Sequence, residues 1–137
     1  MSVEYFLDTN VLLYGYDLDA PKKRLIAVDI IENAWKFPGT AAISVQVLQE
    51  FFVNFTRKIP KYAEAHSLIE DFCRWPVVEN TLSLLGSGFT IQERWQLSFW
   101  DAMIVAAAEA SGAKKLLTED LNHGQYYGEV MAINPFL

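Results

Sequence analysis

Two acidic residues each stand alone within an apolar stretch of the sequence. Asp101 is the only ionisable residue in the segment LSFWDAMIVAAA, and Asp8 separates two apolar runs in the segment YFLDTNVLLY. A buried carboxylate without a partner is costly, because it loses its hydration and gains nothing in return. We therefore expect a cation or a group of hydrogen-bond donors beside each acid. Two such acids, far apart in the sequence, suggest one shared acidic site.

Glu50 and Asp120 are the two further acids that this site could include. Glu50 lies on a polar stripe with Gln46 and Asn54 at helical spacing, which alone is typical of a solvated helix face. Asp120 lies in the segment LLTEDLNHG, where Asp, Asn and Gly are also ordinary turn residues. Neither acid indicates a site by itself.

Helix capping offers a competing explanation for the first two acids. Asp8 could cap the helix that follows it. Ser98 stands three residues before Asp101, the spacing of a capping box. Such a box would satisfy Asp101 locally, although a cap does not need the apolar neighbours that surround this residue.

Divalent metal chemistry gives the four acids a joint role. Mg²⁺ prefers carboxylate oxygens and keeps several waters, so a few acids are sufficient to hold it. A bound ion acidifies its water and stabilises charge on a phosphoryl oxygen. Asn10 and Thr118 are polar neighbours that could orient the carboxylates or the attacking water. Other chemistries have less support, since the two histidines and the single cysteine lack zinc-ligand spacing and no phosphate-binding glycine loop is present.

The composition predicts one globular domain spanning residues 1–137. About half of the residues are apolar (52%), and no apolar stretch reaches the roughly 20 residues that cross a bilayer. The single cysteine and the lack of a signal-peptide pattern favour a cytoplasmic protein without membrane contact. The net charge of −6 argues against nucleic acid as a partner unless bound cations offset it.

Short apolar strands alternate with amphipathic helices along the sequence. This alternation predicts an α/β fold with a parallel sheet covered on both faces, and sites in such sheets form at the carboxyl ends of the strands. The predicted strands cover residues 3–7, 40–43, 77–78, 115–118 and 129–133. The predicted helices cover residues 9–13, 21–35, 45–59, 62–73 and 99–111. Residues 81–93 remain ambiguous because Gly86 and Gly88 weaken any helix there.

Four motifs, taken in order, resemble those of the PIN-domain ribonucleases. They are LDTNVLLY, ISVQVLQEF, LSFWDAMIVAAA and LLTEDLNHG, and each carries one acid. The closest likeness is to the VapC toxins of VapBC toxin–antitoxin pairs. The resemblance implies a PIN-like three-layer α/β fold, with a short, mostly parallel sheet flanked by helices.

The resemblance also implies a function and its residues. Asp8, Glu50, Asp101 and Asp120 would bind Mg²⁺ or Mn²⁺ and catalyse RNA hydrolysis, with water attacking the phosphodiester in line. Asn10 and Thr118 match the polar neighbours of the acids in that family. Glu119 stands directly beside Asp120, so either acid could be the fourth. An antitoxin partner and a homodimer are further implications.

Two other functions compete with this interpretation. A degenerate PIN domain would act only as a binding module. A haloacid-dehalogenase-like phosphatase would use Asp8 as a nucleophile after the first strand, but that family would want a second Asp where Asn10 stands.

Overall fold

Strands and helices alternate along the chain in the computed structural model, which describes residues 2–137. The strands are β1 (Tyr5–Leu7), β2 (Ala41–Ser44), β3 (Val77–Val78), β4 (Lys115–Leu117), β5 (Tyr126–Tyr127) and β6 (Val130–Ile133). The helices are α1 (Thr9–Tyr14), α2 (Pro21–Lys36), α3 (Val45–Lys58), α4 (Tyr62–Phe72), α5 (Leu82–Trp95) and α6 (Phe99–Ser111). No helix within the described range is both long and apolar enough to cross a bilayer.

The strands form one sheet in the order β3-β2-β1-β4-β6-β5. Every neighbouring pair is parallel except β5 and β6, which form an antiparallel hairpin. Phe6 and Leu7 are both fully buried, although successive strand residues point to opposite faces. Helices therefore cover both faces of the sheet, which confirms the predicted three-layer α/β class.

The predicted elements are confirmed to within a few residues, with two additions. The ambiguous segment at residues 81–93 is helix α5, capped by Thr81, whose Oγ1 accepts a hydrogen bond from the N–H of Leu84 at 3.0 Å. The β5 strand was not predicted. It pairs with β6 through a two-residue turn in which Gly128 has a φ of 71°, a backbone conformation that glycine adopts without strain.

Helix α6 explains why so apolar a segment occurs in this sequence. Seven consecutive residues, from Ala102 to Ala108, are buried. The helix packs against α5 on one side and against strands β1, β2, β3, β4 and β6 on the other. It is buried all round because it lies between the sheet and another helix. Asp101 occupies its first turn, at the edge of this layer.

Gly88 on α5 packs directly against the side chain of Met103 on α6. A Cβ atom added at Gly88 would overlap the sulfur atom of Met103, whereas a Cβ at Gly86 would meet nothing within 4 Å. The two glycines of α5 therefore differ in their steric role. Gly88 permits close helix packing, while Gly86 has no such steric role.

We expect Gly88→Ala to destabilise the protein by about 1–3 kcal/mol, because the methyl group overpacks the α5–α6 interface. Gly86→Ala is the matched control and should stabilise the protein by roughly 0.5–1 kcal/mol, since alanine favours the helix. Urea denaturation of both variants measures the difference. Equal stability of the two variants would show that α5 does not pack on α6 in this way.

Candidate metal-binding active site

The pairing of β1 with β4 brings the first and last motifs together. The two strands are parallel, with Leu7 beside Leu117. The N–H of Asp8 continues the ladder by donating to the carbonyl of Leu117 at 3.0 Å. Asp8 and Thr118 therefore lie side by side at the carboxyl ends of their strands. The chain runs from β1 outward to β2 and β3 and then crosses to β4, so this edge is the topological switch point of the sheet.

Asp8 is buried, with only 5% of its surface exposed. Its Oδ1 accepts from the N–H of Thr9 at 2.7 Å, and its Oδ2 accepts from the hydroxyl of Thr118 at 2.8 Å. Asp8 also caps α1, so the structural and the functional explanations coexist at this residue. Burial raises the pKa of Asp8 from 3.8 to about 7, and the nearby carboxylates of Asp120 and Glu50 act in the same direction. The hydrogen bonds from Thr118 and Thr9 oppose this shift in pKa.

Glu50 reaches the same region from helix α3. Ser44 ends β2 and caps this helix, its Oγ accepting from the N–H of Val47 at 3.2 Å. Glu50 lies about one turn after Val47, and its Oε1 accepts a hydrogen bond from the hydroxyl of Thr9 at 2.8 Å. Gln46, one turn before Glu50, is buried. The stripe is therefore not a fully solvated helix face.

Asp101 is half-buried rather than buried, so the expectation of a deeply enclosed acid is wrong for this residue and holds for Asp8 instead. The apolar residues that follow Asp101, from Ala102 to Ala108, are buried in the core. Ser98 caps α6, its Oγ accepting from the N–H of Asp101 at 3.2 Å. The return bond of a capping box, from the N–H of Ser98 to the Asp101 carboxylate, is absent among the described residues. The cap therefore does not engage the carboxylate.

Asp120 and Glu119 are adjacent but have different partners. The Nδ2 of Asn10 donates to Oδ2 of Asp120 at 3.0 Å, and the N–H of Asp120 donates to the Thr118 hydroxyl at 3.1 Å. Glu119 instead accepts from the hydroxyl of Tyr14 at 2.5 Å and forms a salt bridge with Lys23 at 2.9 Å. Asp120 is therefore the better candidate for the fourth acid of the site, because it lines the acidic cavity and Glu119 does not.

The four acids Asp8, Glu50, Asp101 and Asp120 line one open cavity of about 200 Å³. No lysine, arginine or histidine is among the described residues that line it. Burial raises the pKa of Asp120, and the carboxylate of Asp101 raises it further. The cavity thus concentrates negative charge without a cationic side chain to offset it.

The donor atoms of the cavity fit a hard divalent cation. All four acids offer carboxylate oxygens, the ligands that Mg²⁺ and Mn²⁺ favour. The Oδ1 of Asn10, another cavity residue, is buried without a hydrogen-bond partner. Such an orphaned oxygen is costly unless a ligand or water satisfies it. Within residues 2–137, however, no three acidic, histidine or cysteine side chains come close enough together to form a preformed metal-binding group.

The family model for the PIN domain matches residues 5–129. The chain belongs to the PIN domain family. No curated protein sequence matches it. The match to the PIN family does not support the haloacid-dehalogenase alternative.

Solved structures with this PIN fold include proteins from toxin–antitoxin systems. A toxin–antitoxin complex from Klebsiella pneumoniae shares 19% sequence identity at a TM-score of 0.70, covering 96% of this chain and 98% of that one. DNA-bound VapBC from Salmonella typhimurium shares 17% identity at a TM-score of 0.67, covering 95% and 96%. VapC20 of Mycobacterium tuberculosis, a sarcin–ricin loop cleaving toxin, shares 17% identity at 0.59, covering 82% and 87%. The resemblance to the PIN family is confirmed, and the likeness to VapC-type toxins is confirmed at the level of the fold.

Six described cavity residues of this PIN domain were not predicted as site residues, including the apolar Leu13 and Ile104. Thr9 is buried and links Asp8 to Glu50. Gln46, Asn54 and Trp100 also line the cavity. The polar stripe on α3 is the signal that could have found Gln46 and Asn54. Trp100, directly before Asp101, carries no comparable signal in a single sequence.

We expect the metal-free protein to lose stability as the pH rises from about 4 to 7. Because the pKa of Asp8 is higher in the folded state than its ordinary value of 3.8, the folded state binds a proton that the unfolded state releases. Full ionisation of Asp8 would cost up to about 4 kcal/mol. Urea denaturation in EDTA at pH 4 and at pH 8 measures this loss.

The Asp8→Asn variant should show a much smaller dependence on pH, because asparagine does not titrate. Asp71→Asn is the control, since Asp71 is exposed on α4, and it should behave as the wild type. A wild-type protein that is equally stable at both pH values would contradict the raised pKa.

Proposed function

We propose that residues 1–137 act as a single metal-dependent endoribonuclease domain, the toxin of a type II toxin–antitoxin pair. The observation that carries this proposal is one cavity lined by four acids from four separate segments, with no cationic side chain among its described lining residues. Membership of the PIN family and the likeness to VapC20, a toxin that cleaves the sarcin–ricin loop, support RNA as the substrate.

Asp8, Glu50, Asp101 and Asp120 would hold Mg²⁺ or Mn²⁺. When bound, the ion would acidify a water and offset charge on the phosphodiester. The chain prepares this site through its own hydrogen bonds, since Thr118 orients Asp8 and Asn10 orients Asp120. Asp8 with its raised pKa would give up its proton when the ion binds, so the affinity for metal should increase with pH.

An acidic protein can act on RNA if the cation, rather than the surface, supplies the local positive charge. The net charge of −6 then lowers the affinity for nucleic acid in the absence of metal. A small antitoxin that covers the site, a homodimer and a cytoplasmic location all fit this function. They remain predictions for this chain.

We expect Asp101→Asn to reduce cleavage of RNA by more than about 100-fold, because the loss of a carboxylate weakens metal binding. The assay incubates purified protein and Mn²⁺ with ribosomal RNA and with an unstructured RNA pool, and the matching DNA pool tests specificity. Calorimetric titration with Mn²⁺ measures metal binding directly. The melting temperature in EDTA should stay the same or rise, because one like charge is removed from the cavity.

Glu109→Gln is the matched control, since Glu109 lies on the same helix but outside the cavity. It should cleave RNA and bind Mn²⁺ as the wild type does. A wild-type protein that binds Mn²⁺ but cleaves no RNA would instead favour a binding module. A large loss of stability in Asp101→Asn would indicate that Asp101 mainly serves the fold.

We expect Asp120→Asn to weaken Mn²⁺ binding far more than Glu119→Gln does. Asp120 lines the cavity, whereas Glu119 is engaged by Tyr14 and Lys23 on α1 and α2. Glutamine at 119 can still accept the Tyr14 hydrogen bond, so the loop should keep its position. Calorimetric titration with Mn²⁺ measures the affinity of the two variants. A stronger effect of Glu119→Gln would make Glu119, and not Asp120, the fourth metal-binding acid.

A further inference from the structure

A groove opens directly from the acidic cavity along helix α3. It has a volume of about 310 Å³ and is formed by one face of α3 together with Trp100 at the start of α6. Gln46, Glu50, Asn54 and Trp100 line both spaces, and Arg57 lines only the groove. A molecule bound in the acidic cavity could therefore continue into the groove without leaving the surface.

A hydrogen bond anchors the backbone of Trp100, and its side chain faces solvent. The residue is 62% exposed. The Nε2 of Gln46 donates to its carbonyl at 3.2 Å, and its ring meets Phe99 edge-on with centroids 4.9 Å apart. An exposed ring at this position beside Asp101 is accessible to a ligand in either space.

Arg57 supplies the positive charge of the groove. Its Nη1 donates to Oδ1 of Asn54 at 3.2 Å, and Nδ2 of Asn54 donates to the carbonyl of Glu50 at 2.9 Å. These bonds hold the guanidinium against α3. Arg57 forms no salt bridge with any residue in the described part of the chain. Its charge is available for a phosphate.

We propose that the groove binds one unpaired nucleotide of the RNA substrate, with its base stacked on Trp100 and its phosphate beside Arg57. This inference rests on the proposed nuclease function and adds a site that selects single-stranded RNA. Stacking on an aromatic ring contributes about 1–3 kcal/mol per base. Because this contribution does not depend on charge, it suits a protein whose net charge repels the RNA backbone.

The other groove residues offer further contacts to a nucleotide. Among the described residues that line the groove, Gln46, Gln49 and Asn54 carry amides, which can form hydrogen bonds with the edges of an unpaired base. Val53 and the aliphatic parts of these side chains make much of the groove wall apolar, which suits contact with the face of a base. An apolar protein segment is the competing occupant, and the experiments below distinguish the two.

The test measures binding and cleavage of a fluorescein-labelled, unstructured RNA of ten nucleotides. Fluorescence anisotropy in EDTA gives the affinity without hydrolysis, and single-turnover cleavage in Mn²⁺ gives the half-saturating protein concentration. We expect Trp100→Ala to lower the affinity and to raise the half-saturating concentration, each by about 5- to 150-fold. This range corresponds to the loss of one stacked base. The cleavage rate at saturation should change little, and Trp100→Tyr should restore most of the affinity.

An RNA series with one abasic position at a time tests the stacking directly. One position should weaken binding to the wild type but not to Trp100→Ala, since that variant has already lost the stacking contact. Arg57→Gln should lower the salt dependence of binding, with the slope of log affinity against log salt falling by about 0.7. Phe37→Ala is the control, because Phe37 is another exposed aromatic residue (49%) outside both spaces.

The possible outcomes separate this inference from the proposed function. Normal cleavage and affinity in Trp100→Ala would overturn the nucleotide site and leave the nuclease intact. The same result with loss of a co-purifying protein would assign the groove to a protein partner instead. A wild-type protein that neither binds nor cleaves RNA would overturn both proposals.

Discussion

The pairing of β1 with β4 is the constraint on which the rest of the site depends. It places Asp8 beside Thr118, and the hydrogen bond between them fixes one carboxylate oxygen of the most buried acid. The positions of Asn10 and Asp120 then follow, because Asn10 lies two residues after Asp8 and Asp120 lies two residues after Thr118. Glu50 joins the group through the hydroxyl of Thr9. A change in the register of these two strands would therefore displace Asp8 relative to Asp120.

The cavity is held together by polar bonds between neutral groups and carboxylates, not by ion pairs. Threonine and asparagine side chains orient the acids, and no basic side chain lines the cavity in the described part of the chain. The salt bridges of the protein lie elsewhere, on exposed lysines. This arrangement leaves the negative charge uncompensated, which costs stability in the absence of a cation. The same uncompensated negative charge favours the binding of a cation.

The sequence was sufficient to predict most of the fold, because its strands are short and apolar and its helices are amphipathic. It was less informative about how deeply individual side chains are buried. The apolar run around Asp101 predicts a buried acid, yet that run is apolar because α6 lies between the sheet and α5, and Asp101 sits at the end of the helix where solvent begins. Helix α5 was ambiguous because a glycine can weaken a helix or allow it to pack closely, and only the position of Met103 distinguishes Gly88 from Gly86. Pairings between distant residues, such as Thr9 with Glu50, have no local signal.

The order of the strands has a consequence for synthesis on the ribosome. Asp8 emerges well before β4, the strand that completes its surroundings, and Asp120 follows β4. Long-range contacts of this kind form only after the intervening segments have been made. If the protein is a nuclease, the growing polypeptide remains harmless to the RNA around it until β4 and Asp120 have been translated.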